Sequence, residues 1–439
     1  MNQHKTDYSQ RNQMIAPITF KKRDDFVREP FAKRLIELVQ NNSEIFPLAI
    51  NGSWGTGKTE FCQKTVHLIN QEYNDYLIAE YFDAFSEDSY DQPLTSILAR
   101  LYKTFNVEHD KRELKRHALN LILATTGAVA ENIQPTFGIA VKYIAKIANK
   151  LNSDIHEKSF EHKSNTEIYL NELKNFLSRA TENKKLVLFI DELDRCRPDY
   201  ALHLLEVVKH VFDIPNLKII FIINSKQLIE IVKHNYGNNE EVAKKYLDKF
   251  FQFQINLPDS AQDKNKERIL NSVKYLDIEF DRLEIFKSPL FSDTNRQTSR
   301  STWLLRELVE YYNLSLRDIE KLARNISVYS VLKNYKEDLL PGFKLLSVYA
   351  IFQFTFGGVM YQNYKEFNNA FKQSGDLLSS IPKHASNIPY RYILFSILFE
   401  TGEKTIDHLF DNWLSVHTLD KRREYLIAEF SSFDSFSAK

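Results

Sequence analysis

Cysteine is nearly absent from this chain: among 439 residues there are two, Cys62 and Cys196. That is too few for a disulfide framework or a cysteine-based zinc cluster, so a packed core must carry the stability. A chain of this length can bury a substantial core and hold two or three domains. Net charge is lacking too, because 58 basic residues balance 58 acidic ones. Nothing global therefore points to a nucleic-acid polyanion or an anionic membrane, and only local patches stay open. No apolar run reaches the ~18 residues of a membrane span. The N-terminus, MNQHKTDYSQRNQ, lacks the apolar core of a signal peptide. These absences together suggest the reducing cytoplasm. Glycine is scarce, 11 in all, while 32 Phe and 22 Tyr suggest long, well-packed helices.

Against that scarcity, three glycines fall within NGSWGTGKTEF, Asn51 to Phe61. The stretch satisfies G-x-x-x-x-G-K-[ST], with Gly52, Gly57, Lys58 and Thr59 in the fixed positions. It follows a short apolar strand, PLAIN, and opens a helical pattern that runs to about Tyr73. Glycines let consecutive N–H groups turn inward, where a side chain would block phosphates. A helix N-terminus adds its positive end. The candidates to bind ATP are thus Gly52, Ser53, Trp54, Gly55, Thr56, Gly57, Lys58, Thr59 and Glu60. Lys58 supplies a cation to the β- and γ-phosphates, and the Thr59 hydroxyl can ligate Mg²⁺. A glycine turn that merely links strand to helix is the alternative, and the full motif in its context argues against it.

The second half of such a cradle is KLVLFIDELDRCRP, an apolar strand ending in Asp191 and Glu192. A carboxylate at the carboxyl end of a buried strand lies beside the phosphate loop in doubly wound sheets. Asp191 is the candidate for the Mg²⁺ shell, which leaves Glu192 to orient or deprotonate water, with Asp194 the nearest substitute. The next strand, LKIIFIIN, ends in Asn224, either a partner for that water or the γ-phosphate, or an ordinary strand-to-helix turn residue. Strands alternate with helices as far as FFQFQINLP, which implies an α/β fold with a mostly parallel sheet flanked by helices. After Pro258 the pattern reads as all-α: KERILNSVKYL, STWLLRELVEYYN and LRDIEKLARNISVYSVLKNY are helical. The expected plan is a loose arm (1–23), a nucleotide domain (24–258) with a helical insertion at about 101–165, a lid-like helical subdomain (259–335) and a C-terminal helical region (336–439).

GSWGTGKTEF, FIDELDRCRP and KYLDKFFQFQINLP together resemble the KAP family of P-loop NTPases over roughly residues 25 to 330. The resemblance implies an ATPase of the additional-strand class, in which one strand separates the two motif-bearing strands; YLIAEYF fits that extra strand. Family members carry an arginine in a pattern similar to NLSLRDIEKL, which makes Arg317 a candidate to reach the γ-phosphate, or else a solvated helix arginine. Arg195 and Arg197 are either arginine fingers across a subunit interface or caps of the neighbouring turn. Many members carry two transmembrane helices between the motifs, but residues 101–165 have no run long enough, so that part is not carried over. Bacterial members associated with phage exclusion imply, by analogy, a role in defence.

Within the insertion, Lys142, Lys146 and Lys150 form one helical stripe, and Ile139, Tyr143, Ile147 and Leu151 an apolar one. Such a helix either docks on an anionic surface or partner, or is a core helix with a solvated lysine face. Three functions follow from the whole reading. One is an ATPase whose turnover drives a conformational cycle, with ATP between the phosphate loop and the helices after Pro258. A second is a nucleotide-gated switch that recruits a protein effector with little turnover. The third, a nucleic-acid motor, needs a homo-oligomer to assemble a basic ring, since no basic domain appears. GTP stays open, although no Asn-Lys-x-Asp motif is present.

Overall fold

In this computed structural model, the described residues are 19–356 apart from 42–43, 106–107, 127–163, 238, 263–267, 292–298, 336–338 and 340, together with 421, 422, 424, 425, 428 and 429. They divide into two compact units between Pro258 and Asp259. In the first unit five parallel strands form one sheet: β1 (Leu48–Asn51), β2 (Leu77–Asp83), β3 (Lys185–Asp191), β4 (Leu217–Ile223) and β5 (Phe253–Asn256). Their order is β2-β3-β4-β1-β5. Register pairs Asn51 with Ile223, Ile190 with Phe221 and Asp83 with Asp191, so the strands end level.

Burial explains the order. Every residue of β4 is buried, as is every residue of β3 after Lys185, and continuous apolar runs belong in the middle of a sheet covered on both faces. β2 is only partly buried and β5 leaves Phe253 exposed, so both sit at edges. One expectation is corrected here. YLIAEYF lies between the two motifs along the chain, but in space β4 (LKIIFII) separates β1 from β3, and β2 lies outside β3.

The helices of this unit are α1 (Glu29–Asn41), α2 (Lys58–Glu72), α3 (Ala84–Glu87), α4 (Pro93–Thr104), α5 (Glu108–Thr126), α6 (Ser164–Ala180), α7 (Pro198–Val211), α8 (Ser225–Tyr236) and α9 (Glu240–Leu247). Successive side chains of a strand point to opposite faces. Val187, Phe189, Ile220 and Ile222 join Leu48 and Ile50 in a core with α1 and α2. Leu186, Leu188, Ile190, Ile219 and Phe221 pack the other face against α4, α7 and α8. The insertion begins as part of this second core: Leu114, Ala118 and Leu121 of α5 share it with Leu173, Phe176 and Leu177 of α6. The lysine stripe at Lys142, Lys146 and Lys150 lies outside the described residues. No helix among the described residues is long and apolar enough to cross a membrane.

The pattern that reads as helical from Asp25 becomes helix only at Glu29. The Asp24 carboxylate accepts from the N–H groups of Arg28 (2.8 Å) and Glu29 (2.9 Å), and the chain turns through Val27 at φ 52°. A side-chain cap thus takes over the first free donors of the helix.

The second unit starts with two short antiparallel strands, β6 (Ser260–Gln262) and β7 (Arg268–Leu270). The all-α expectation therefore fails at its start: within KERILNSVKYL the helix, α10 (Asn271–Arg282), begins only at Asn271. Beyond it come α11 (Arg300–Tyr311), α12 (Leu316–Leu332) and α13 (Pro341–Thr355). α12 opens on a capping box, in which Ser315 and Asp318 satisfy each other's backbone N–H.

A β-branched residue is strained in the left-handed region, where asparagine is tolerated. Val27 is 55% exposed, so little packing is lost on replacement. Val27→Asn is expected to stabilise by about 1 kcal/mol and to raise Tm by roughly 2–4 °C in thermal unfolding. A lowered Tm would contradict this account of the turn.

Candidate functional site

The phosphate loop occupies the gap between β1 and α2. Gly55 (φ 71°) and Gly57 (φ 78°) take left-handed backbone, and Gly57 is the residue from which α2 starts. Gly52 serves by its size. A Cβ there would lie 3.0 Å from Thr56 Oγ1 and 3.2 Å from Lys58 Cδ. The loop also braces itself: Thr56 Oγ1 donates to the Ser53 carbonyl (2.8 Å), while Lys58 Nζ donates to the carbonyls of Gly52 (2.7 Å) and Ser53 (3.0 Å). Burial lowers the Lys58 pKa, and the negative charges of Asp194, Asp191 and Glu192 oppose that shift.

β3 delivers the carboxylates. Asp191 is buried, and accepts from its neighbour's N–H (Glu192, 2.8 Å) and from the Tyr81 hydroxyl (3.3 Å). Glu192 lies close by with a left-handed backbone (φ 60°). One of its oxygens accepts from Thr59 Oγ1 (3.3 Å), and the other pairs with Arg195. Burial raises the pKa of both carboxyls; for Glu192, Asp191 raises it further and Arg195 pulls it down. Among the described residues no cluster of three His, Cys, Asp or Glu is arranged to hold a metal. A hydroxyl and a carboxylate beside a phosphate cradle suit Mg²⁺, which prefers oxygen ligands and shares them with substrate phosphates.

The structure thus brings Gly52 to Thr59, Asp191 and Glu192 together. Glu60 faces the other way, paired with Lys64 (2.6 Å) on the side of α2. Asn224 lies at the tip of β4, between the two motif strands, and its side chain does not cap α8. Its backbone N–H donates to Asp194 Oδ1 (3.1 Å), whose second oxygen accepts from the Trp54 indole (2.7 Å). Arg197 is tied to Asp88 through its side-chain and backbone N–H groups (3.0 Å each) and to Asp91 (3.0 Å). Arg317 is in the second unit, exposed on the first turn of α12.

Three further residues of the site escaped the sequence reading. Arg28 is buried and donates to the carbonyls of Thr56 (2.9 Å) and Pro258 (2.8 Å), so it clasps the back of the loop. Its signal was a cation just before a helix N-terminus, where the dipole disfavours one. Asn51 accepts from Ser225 N–H (2.9 Å) and donates to Asn256 (2.9 Å), tying β1 to α8 and β5. Tyr81 orients Asp191 from the neighbouring strand, which only the sheet order reveals. Beside the loop, Phe20, Phe26 and Phe61 line a small open cleft together with Asp24, Asp25, Arg28, Gly57, Glu60 and Lys64.

A family model described as the KAP family P-loop domain matches residues 28–332. No curated protein matches the chain. Among solved structures it is similar to one titled "Structure of Drosophila ORC bound to DNA", at 13% identity and a TM-score of 0.30, over 92% of this chain and 80% of that one.

Because a methyl group at Gly52 meets Thr56 and the Lys58 stem, Gly52→Ala is expected to push the lysine out of the cradle while leaving the fold intact. Triphosphate affinity should fall at least tenfold, about 1.4 kcal/mol, with an unchanged circular dichroism spectrum. Calorimetry showing wild-type affinity would contradict the reserved-space account.

Proposed function

The chain belongs to the KAP family of P-loop domains, and we propose that it hydrolyses ATP with Mg²⁺ and uses turnover to drive conformational change or assembly. The observation that carries this reading is the meeting of Lys58, Thr59, Asp191 and Glu192 at the carboxyl ends of β1 and β3, around space that a Cβ at Gly52 would fill. The loop N–H groups and Lys58 bind the β- and γ-phosphates. Thr59 and Asp191 would hold Mg²⁺, which would supply positive charge to the phosphate oxygens. Glu192, its basicity raised by burial, takes the proton of the attacking water. Asn224 hydrogen-bonds that water or the γ-phosphate.

Arg317, on the first turn of α12, stays the candidate for an anionic ligand in this proposal. A cation on the first turn of a helix opposes the dipole, a disadvantage that an anionic ligand would remove. The two free cysteines are buried, in keeping with a cytoplasmic protein. By analogy with bacterial relatives, the output of the cycle is exclusion of phage through a homo-oligomer and a protein effector.

One observation favours a second reading, a nucleotide-gated switch with little turnover. Both carboxylate oxygens of Glu192 are engaged, one by Thr59 and one by Arg195, so the base is not free to meet water. In this reading the ATP-bound state itself recruits the effector.

Lys58→Ala is expected to abolish triphosphate binding in calorimetry with Mg²⁺ present, because among the described residues no other side chain places a cation inside the loop. Glu192→Gln separates binding from chemistry: nucleotide binds as before, while turnover falls by about 10² or more, the usual contribution of a positioned acid–base group. Asp191→Asn loses Mg²⁺-dependent affinity as well as rate. Unchanged turnover in Glu192→Gln would remove Glu192 from its role. Under the switch reading, wild-type turnover is negligible and Arg195→Gln raises it.

A further inference from the structure

Asp194 is the acidic residue of the second motif that the proposed chemistry leaves without a task. It is 4% exposed, so its charge needs compensation. Two neutral N–H groups converge on it from different parts of the site. Oδ2 accepts from the Trp54 indole at 2.7 Å, and Oδ1 from the Asn224 backbone at 3.1 Å. The first donor belongs to the phosphate loop and the second to the junction of β4 and α8. Trp54 keeps 46% of its surface exposed, so the ring is held by its N–H rather than by burial. The other side of the loop is held by Arg28 through the Thr56 carbonyl. Among the charges that favour the ammonium form of Lys58, Asp194 acts most strongly.

We propose that Asp194 is a positioning residue: its carboxylate ties the phosphate loop, through Trp54, to the tip of β4 that carries Asn224, so that loop and tip keep one spacing as nucleotide enters and leaves. Lys58 must leave the Gly52 and Ser53 carbonyls to meet a phosphate, and Trp54 is the point at which the outer arm of the loop stays anchored meanwhile. The functional half of this inference rests on the nucleotide-binding reading; the anchoring itself does not.

The test uses the full chain labelled with ¹⁵N-tryptophan. It has three tryptophans, hence three indole N–H signals, and Trp54→Phe assigns one by its disappearance. In Asp194→Asn an amide can satisfy only one of the two donors as acceptor. The Trp54 signal is expected to move upfield toward that of a solvent-bonded indole. ATP affinity should weaken about tenfold in either variant, the scale of a hydrogen bond to a charged group, with kcat within about threefold. Asp194→Asn should have a smaller effect in the Trp54→Phe background than alone, because the two share one interaction. An unmoved indole signal overturns the anchoring, as do additive effects. Loss of kcat with intact affinity would instead make Asp194 a base and overturn the proposal. Trp54→Phe keeps the test open if Asp194→Asn does not fold. If the wild type binds no ATP, the nucleotide reading fails while the indole signal still decides the anchoring.

Discussion

Desolvated negative charge at the carboxyl end of β3 is the constraint to which the rest of the site responds. Asp191 and Asp194 are buried and Glu192 lies between them, so three carboxylates crowd into four residues. Burial alone would protonate or expel them. Each has specific partners instead: Tyr81 and a backbone N–H for Asp191, Thr59 and Arg195 for Glu192, Trp54 and Asn224 for Asp194. Burial lowers the pKa of Lys58, and the charges of the same three carboxylates oppose that shift. The sheet makes this possible. β3 is covered on both faces and pairs with β4 along its length, which sets the three carboxylates at one end of the sheet.

Much of this was legible in the sequence, for identifiable reasons. The glycine loop and the apolar strand ending in Asp191 and Glu192 are local features, and local features survive translation into structure. The central strands were legible because β3 and β4 each carry a run of five consecutive apolar residues. Sheet order was not. YLIAEYF has the chain position of a strand between the motifs, yet its half-exposed pattern belongs at an edge, and the fully buried β4 takes the middle. The start of α1 was displaced by Asp24, whose capping role depends on a turn at Val27 that no periodicity records. The strands β6 and β7, three residues each, are too short to show a period of two.

The parts of the site that escaped notice share a cause. Arg28, Asn51 and Tyr81 act on groups far away in the chain, such as Thr56, Ser225 and Asp191. Their identities are unremarkable and only their destinations matter. The same holds for Arg195 and Arg197, whose alternatives the sequence could state but not resolve. Within this chain Arg197 closes on Asp88 and Asp91 and Arg195 on Glu192.

The contacts of Lys58 have a consequence for how tightly anything can be held. With its ammonium on the Gly52 and Ser53 carbonyls, the loop is occupied by an internal competitor at effectively fixed concentration. A phosphate entering the cradle exchanges one set of hydrogen bonds for another, and only the difference appears as affinity.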